Sequence, residues 1–234
     1  MTFPLPPQMS KVKQRDWRLF RAKLINQFAS ENGDSKLEWG DGNWAHELVH
    51  VEPGCLLLAT EQIWDPPFRQ SVVLVLSHDE HGSVGLVLNQ PGPQRVSTLA
   101  GLKPDLAEVF GESLVFAGGP VGLGSMTVMH ATEGLEGSES VLPGVYSGGF
   151  DSLVQRARHG LVVKDRVRFI HGHSAWTPGQ LQRELDDNMW FVAAAAPELV
   201  TAGCDRPINP LWGQVLSLMG GRYQRVARRN GPFA

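Results

Sequence analysis

The chain is short of cysteine, of long apolar runs and of every common nucleotide-binding motif, and each shortage closes off a class of protein. Cys55 and Cys204 are the only cysteines in 234 residues, too few for a disulfide scaffold. Met1 is not followed by the pattern of a secretory signal, so an intracellular, reducing compartment is expected, with both thiols buried and free. The strongly apolar runs, Val72–Leu76 and Phe191–Ala196, fall far below the roughly 18 residues a membrane-spanning helix needs. There is no Gly-x-x-x-x-Gly-Lys-Ser/Thr segment, and Gly118, Gly119, Gly122 and Gly124 do not fall on the Gly-x-Gly-x-x-Gly spacing. No cofactor is expected. No repeat of about 20–50 residues is visible, which excludes solenoids and propellers.

What is abundant is glycine and proline. The 26 Gly and 16 Pro exceed the roughly 28 that average usage would supply together, and imply many tight turns. With 42% hydrophobic residues the chain can still bury a core. Charge is unevenly spread: residues 1–30 carry six basic and one acidic side chain, residues 222–234 four basic and none acidic, and residues 31–221 eleven basic and 23 acidic. The acidic body argues against a DNA-reading surface on the fold itself, leaving only the basic ends to meet phosphate. Those ends read as solvated tails or the remnant of a targeting segment.

The pattern predicts an N-terminal extension over 1–45 and one α+β domain over 46–234. Within the extension, Ser10 is an N-cap candidate for an amphipathic helix whose Trp17, Phe20, Leu24 and Phe28 would dock on the body. Glu31–Trp44 reads as a polar surface connection. Strands are expected at 54–59, 71–77 and 84–89, the last two joined by a hairpin loop over His78–Ser83, and further strands at 113–117, 125–130, 167–171 and 190–194. Pro104 should interrupt a helical stretch over 97–110. Asp151 should cap a short helix ending at Gly160, and Thr177-Pro178-x-Gln180 has the form of a capping box. Asn209-Pro210 opens a last helix, stopped by Gly220 and Gly221.

Two chemical readings present themselves. Gly172-His173-Ser174-Ala175-Trp176, between a strand and a helix, is set like the nucleophile elbow of a serine hydrolase. Trp176 stands where the elbow requires Gly, however, and no His lies beyond His173 to serve Ser174. His171 and His173 alternate along one strand and should share a face, His78 and His81 lie in the hairpin, and His46 and His50 bracket a turn, yet nothing brings three ligands together for a metal. No catalytic residue and no metal ligand is assigned. The segment Phe116-Ala117-Gly118-Gly119-Pro120-Val121 implies a sharp turn or close approach to another chain or ligand.

Four motifs in order resemble the YqgE/AlgH family: Gly54-x-Leu56-Leu57-x-Ala59 with Asp65-Pro66-x-Phe68-x-x-Ser71-Val72-Val73; His78 with Gly82-x-x-Gly85-Leu86-Val87-Leu88-Asn89-x-Pro91; Gly118-Gly119-Pro120-Val121; and Gly172-x-x-x-Trp176-x-x-Gly179-Gln180-Leu181-x-x-Glu184-Leu185 followed by Trp190. They span roughly residues 50–220. Asp16-Trp17-Arg18-x-Phe20-Arg21 and Trp44-Ala45-His46 resemble the plant and algal, plastid-associated branch, which implies a chloroplast setting. The resemblance implies a compact α+β fold with a small barrel-like or bifurcated sheet surrounded by helices, and no established activity. Some bacterial members carry the label of transcriptional regulator. This chain has His173, Ser174 and Ala175 where the family usually shows Tyr, Ala and Gly, which weakens both the hydrolase and the paired-histidine readings. The expected role is a non-catalytic binding or regulatory module for a small ligand or a protein partner. Its expected ligand-facing residues are His78, Asn89, Gly118, Gly119, Pro120, Gly172, Trp176 and Gln180.

Overall fold

The computed structural model describes residues 17–31, 43–203 and 210–230, with side chains described from Arg18 to Gln27 in the first stretch. Helix α1 spans Trp17–Glu31. Strands β1 (Ala45–Glu47), β2 (Leu56–Ala59), β3 (Val72–Asp79), β4 (Gly82–Val87) and β5 (Pro91–Arg95) lead to helix α2 (Pro104–Phe110). Strands β6 (Leu114–Ala117), β7 (Val121–His130), β8 (Ser138–Leu142) and β9 (Val145–Gly148) precede helix α3 (Phe150–Arg158). Then come β10 (Val167–Trp176), α4 (Gln180–Asp186), β11 (Trp190–Ala195), α5 (Pro197–Thr201), α6 (Leu211–Met219) and α7 (Gly221–Asn230).

The sheet runs β1-β11-β2-β3-β4-β10-β7-β9-β8, with β6 also on β10 and β5 on β6. Of these pairings β6–β10 is parallel and the others are antiparallel. Strand β10 is the stem of a fork. Its first half, through Phe169–His171, lies between β6 and β7, whereas Ser174–Trp176 pairs with β4. The register breaks between His171 and His173, around Gly172 in the left-handed region at φ 71°. The bifurcated α+β sheet implied by the family resemblance is therefore what the chain forms.

Two glycine segments make the fork possible. The Gly118 N–H donates to the His171 carbonyl at 2.9 Å while the Gly118 carbonyl accepts from the Val87 N–H at 3.0 Å, so the end of β6 is wedged between the branches. A Cβ on Gly118 would lie 2.4 Å from the Gly172 oxygen, and one on Gly119, at φ 146°, 2.4 Å from the His173 carbonyl. A Cβ on Gly172 would in turn meet the Gly119 oxygen at 2.7 Å. Close approach of backbone, rather than flexibility, selects glycine here.

Each branch has its own core. One packs Leu56–Ala59, Val72–Val75, Leu86–Leu88 and Ala193–Ala196 against α6, where Trp212 also donates its indole N–H to the Ala59 carbonyl at 2.9 Å. The other joins Val115, Val128 and Phe169 to Phe110 of α2 and Leu153 of α3. Burial of each such aliphatic or aromatic side chain contributes about 1.5–3 kcal/mol. Strands β2 and β11 are apolar without alternation because both of their faces are covered.

Several expectations from sequence need correction. On α1, Phe20 and Leu24 do not dock but are 68% and 41% exposed. The buried stripe is Arg18, Ala22 and Asn26, because the seat offers polar acceptors: Arg18 donates to the Gly54 carbonyl at 2.6 Å and Arg21 pairs with Glu52 at 2.8 Å. The Trp17 and Phe28 side chains and Ser10 lie outside the described residues, as do most of the Glu31–Trp44 connection, Cys204 and Asn209. The hairpin turn is Glu80-His81 alone, since pairing runs out to Asp79–Gly82. Pro104 opens α2 at its first turn, where a missing N–H costs nothing. Asp151 does not cap α3, whose N-cap is Gly149; its carboxylate pairs with Lys103. Helix α4 begins at Gln180, although the Gln180 side chain does accept the Thr177 N–H at 3.1 Å as in the anticipated box. His46 sits on β1 rather than beside a turn. The register break at Gly172 interrupts the alternation that would have put His171 and His173 on one face. Gly220 ends α6, but the chain re-enters a helix at once, and α7 buries Tyr223 and Ala227 where a solvated tail was expected. The short strands β1, β5, β8 and β9 carry too few periodic residues to be read from sequence.

Replacing Gly118 or Gly172 by Ala should destabilise the protein by about 3 kcal/mol or more, because the clashing atoms are backbone and cannot swing aside. Gly124→Ala, where nothing lies within 4 Å, should stay within about 0.5 kcal/mol in the same urea titration.

Candidate functional site

The residues with recognisable chemistry fall into three neighbouring groups. The first is centred on Glu184 of α4. Trp176 at the end of β10 and Trp190 at the start of β11 both donate their indole N–H groups to Glu184 Oε2 at 2.8 Å, and the Gln180 side-chain amide donates to Oε1 at 2.9 Å. The two indoles meet edge to face at 6.1 Å. A half-buried carboxylate thereby satisfies two tryptophans that would otherwise bury unpaired donors. Sequence reasoning placed Trp176 and Gln180 in a site but missed Glu184, although the i, i+4 spacing from Gln180 to Glu184 on one helix is the signal that joins them.

The second group is Asn89 with its strand neighbours. Its Oδ1 accepts the Val72 N–H and its Nδ2 donates to the Gln70 carbonyl, both at 2.8 Å, so this buried amide ties the chain after β4 to the start of β3. The third is the glycine crossing, which brings Gly118, Gly119 and Gly172 into contact and leaves Pro120 exposed on its outer side. Ser174 is buried in the same crossing and donates its hydroxyl to the Gly118 carbonyl at 3.1 Å. It lies within β10 opposite Gly85, not on an exposed elbow. His78 is exposed on β3, with Nδ1 2.8 Å from the hydroxyl of Ser83, and Ser83 is the β4 partner of Trp176. The fork thus joins Asn89 to the glycines through Gln90 and Ala117, and the β4 pairing joins His78 to Trp176.

A concave surface lies elsewhere, on the α2–α3 side of the second core. It is a groove of about 980 Å³ with Leu102, Met126 and Phe150 among its apolar lining and Lys103, Asp151 and Glu136 among its polar lining. The Lys103 ammonium bridges both Asp151 oxygens at 2.6 and 2.8 Å. None of the eight residues expected to face a ligand lines this groove. Among the described residues no three His, Cys, Asp or Glu side chains converge as metal ligands. Burial pushes the Cys55 thiol up to about 12, leaving it unreactive.

Forked-sheet architecture, a Trp–Glu–Trp clamp and a Gly–Gly crossing define a class of α+β protein whose sequence signature maps onto its own junctions. The AlgH-like family model matches residues 56–224, and the chain belongs to that family. It is 32% identical to a UPF0301 protein of Chlorobaculum tepidum over 78% of this chain and 94% of that one. It is 34% identical to a UPF0301 protein of Streptomyces coelicolor, over 74% and 90%. The fold is similar to the crystal structure of a Corynebacterium diphtheriae protein, with a TM-score of 0.64, 21% identity and coverage of 77% and 94%. It is also similar to the solution structure of the AlgH protein from Pseudomonas aeruginosa, with a TM-score of 0.56, 22% identity and coverage of 79% and 99%.

Glu184→Leu should cost about 2–4 kcal/mol, since it strands two indole donors and an amide, and should perturb near-ultraviolet tryptophan dichroism; Glu184→Gln should cost less because one acceptor remains. A second outcome concerns pH. Burial holds His46 below its usual 6.5, the Glu47 carbonyl and Glu52 opposing and Arg21 and Arg18 reinforcing, and burial does the same to His130. The unfolded chain therefore binds more protons below pH 6.5, so stability is full above about 6.5 and falls on acidification, by up to about 1.4 kcal/mol per pH unit for each histidine. Thermal melts of the His46→Phe variant between about pH 7.5 and 5.5 should show a shallower loss than wild type.

Proposed function

We propose that this AlgH-like protein is a non-catalytic binding module whose ligand-contacting surface is the groove between α2 and α3. The carrying observation is the division of labour in the molecule. Asn89, Trp176, Gln180, Glu184 and Ser174 are bonded to one another or to backbone, whereas the groove joins an apolar lining to charged groups at the surface. Such a surface suits a small ligand or a segment of a protein partner. The Lys103–Asp151 pair is 72% and 75% exposed, so opening it costs little, about 0–1 kcal/mol, and either charge is available to an incoming group.

The acidic body supports a partner other than nucleic acid at this groove, and the tightly bonded Ser174 supports a role other than hydrolysis. Of the eight residues the family motifs point to, His78, Gly119, Pro120 and Gln180 are the ones with accessible surface, and they mark the alternative location. The likeness of Asp16–Arg21 and Trp44–His46 to plant and algal members supports a plastid setting for the regulatory form of this reading.

A ligand and peptide screen followed by amide chemical shifts tests the proposal. Binders should shift the Leu102, Met126 and Phe150 amides, and Met126→Arg should weaken them by about tenfold or more while leaving the fold intact. Shifts centred on His78 and Gln180, or turnover that Ser174→Ala abolishes, would overturn it.

A further inference from the structure

Helices α1 and α7, the described parts of the two basic stretches, both reach one edge of the sheet. Strand β1, three residues long, is the terminal strand on that side. Helix α1 seats beside it through Arg18 and Arg21, and the first turn of α7 reaches it where Arg222 bonds Glu47 at 2.7 Å. The carboxylates that meet these helices are already engaged: Glu47 by Arg222, Glu52 by Arg21 at 2.8 Å, and Glu61 by the Asn230 amide at 2.6 Å. Lys23 on α1 and Arg225, Arg228 and Arg229 on α7 face solvent and form no ion pair among the described residues. Helix α7 itself carries four arginines and no carboxylate.

Charge is accompanied by misplaced hydrophobicity. Phe20, Leu24 and Ile25 of α1 are 68%, 41% and 40% exposed, while the helix buries Arg18 and Asn26. The loop bonded to Asn230 through Glu61 and Gln70 carries Trp64, 72% exposed, with the exposed Asp65 next to it. The α7 arginines and Lys23, the outward aromatic and aliphatic side chains of α1, and the engagement of Glu47, Glu52 and Glu61 complement a surface that is negative outside and apolar beneath. A nucleic acid would use the arginines but would leave Phe20, Leu24 and Ile25 without a role. We propose that the β1 end of the protein docks on an anionic lipid surface, α7 lying against the phosphates and the outward side chains of α1 entering the headgroup–acyl boundary. The chain lies on the bilayer and does not cross it: no helix of the described residues is long and apolar enough to span. This docking is independent of the α2–α3 groove.

Co-sedimentation of the full chain with vesicles tests it. Vesicles of phosphatidylcholine with about 30 mol % phosphatidylglycerol should carry the protein down, phosphatidylcholine alone should not, and about 0.5 M salt should release it. Arg225→Glu/Arg228→Glu/Arg229→Glu should lower the bound fraction by about tenfold or more. Phe20→Ser/Leu24→Ser, at exposed positions, should lower it by about threefold or more with an unchanged melting temperature. No sedimentation with the anionic vesicles, equal binding to neutral ones, or indifference to both variants would overturn the proposal. So would salt-sensitive oligonucleotide binding without vesicle binding, or self-association that Phe20→Ser/Leu24→Ser abolishes.

Discussion

The whole sheet depends on a place where no side chain fits. Strand β6 ends against β10 with its Gly118 and Gly119 backbone in contact with Gly172 and His173, and any Cβ there would lie within 2.4–2.7 Å of a carbonyl group. At that point one edge of β10 changes partner from β6 to β4, and the sheet divides. The fork is held by hydrogen bonds that converge on one residue: Gly118 serves His171, Val87 and Ser174 together. A backbone junction with three partners leaves no room for adjustment, which is why the glycines and the buried serine occur as a set.

From this junction the other signature residues follow as fasteners. Strand β10 must continue past the fork to reach β4, and its last residue, Trp176, needs a partner for its indole N–H once buried. Glu184 supplies it and captures Trp190 from β11 with the same oxygen. The clamp therefore fastens α4 to the two strands its chain connects. Asn89 performs the equivalent task at the other end of β4, substituting for ladder partners where β4 leaves the sheet.

This explains what could and could not be read from the sequence. Strands β2 and β11, the first half of β3 and the end of β4 were legible because they are apolar on both faces, and their sequence alone demands layers on each side. The junction was half legible: Phe116–Val121 announced a close approach, but its partner, Gly172, lies some fifty positions away and nothing local names it. Strand β10 looked short because Gly172 and the polar His171, His173 and Ser174 break the apolar run, although the backbone carries on. Helix α1 was misread for a different reason. Periodicity finds the apolar face of a helix, and assumes the seat is apolar; here the seat is the Gly54 carbonyl and Glu52, so the stripe through Arg18, Ala22 and Asn26 docks and Phe20 turns outward. The α2–α3 groove was invisible because its lining comes from four separated segments, none with a motif.

The arrangement also bears on how a family signature should be weighed. Residues that recur across separate motifs invite a functional reading, yet here each polar atom among Asn89, Ser174, Gln180 and Glu184 that the structure describes as bonded is bonded within the junction it closes. A rigid fork fixes the two ends of the sheet relative to each other, with β1, α1 and α7 at one end and the groove beside α2 and α3 on the other branch. None of the residues of the four family motifs lines the groove, so its lining can differ between members while the fork stays the same. For a protein of this kind the signature identifies the scaffold, and recognition has to be sought on the surfaces that the scaffold carries.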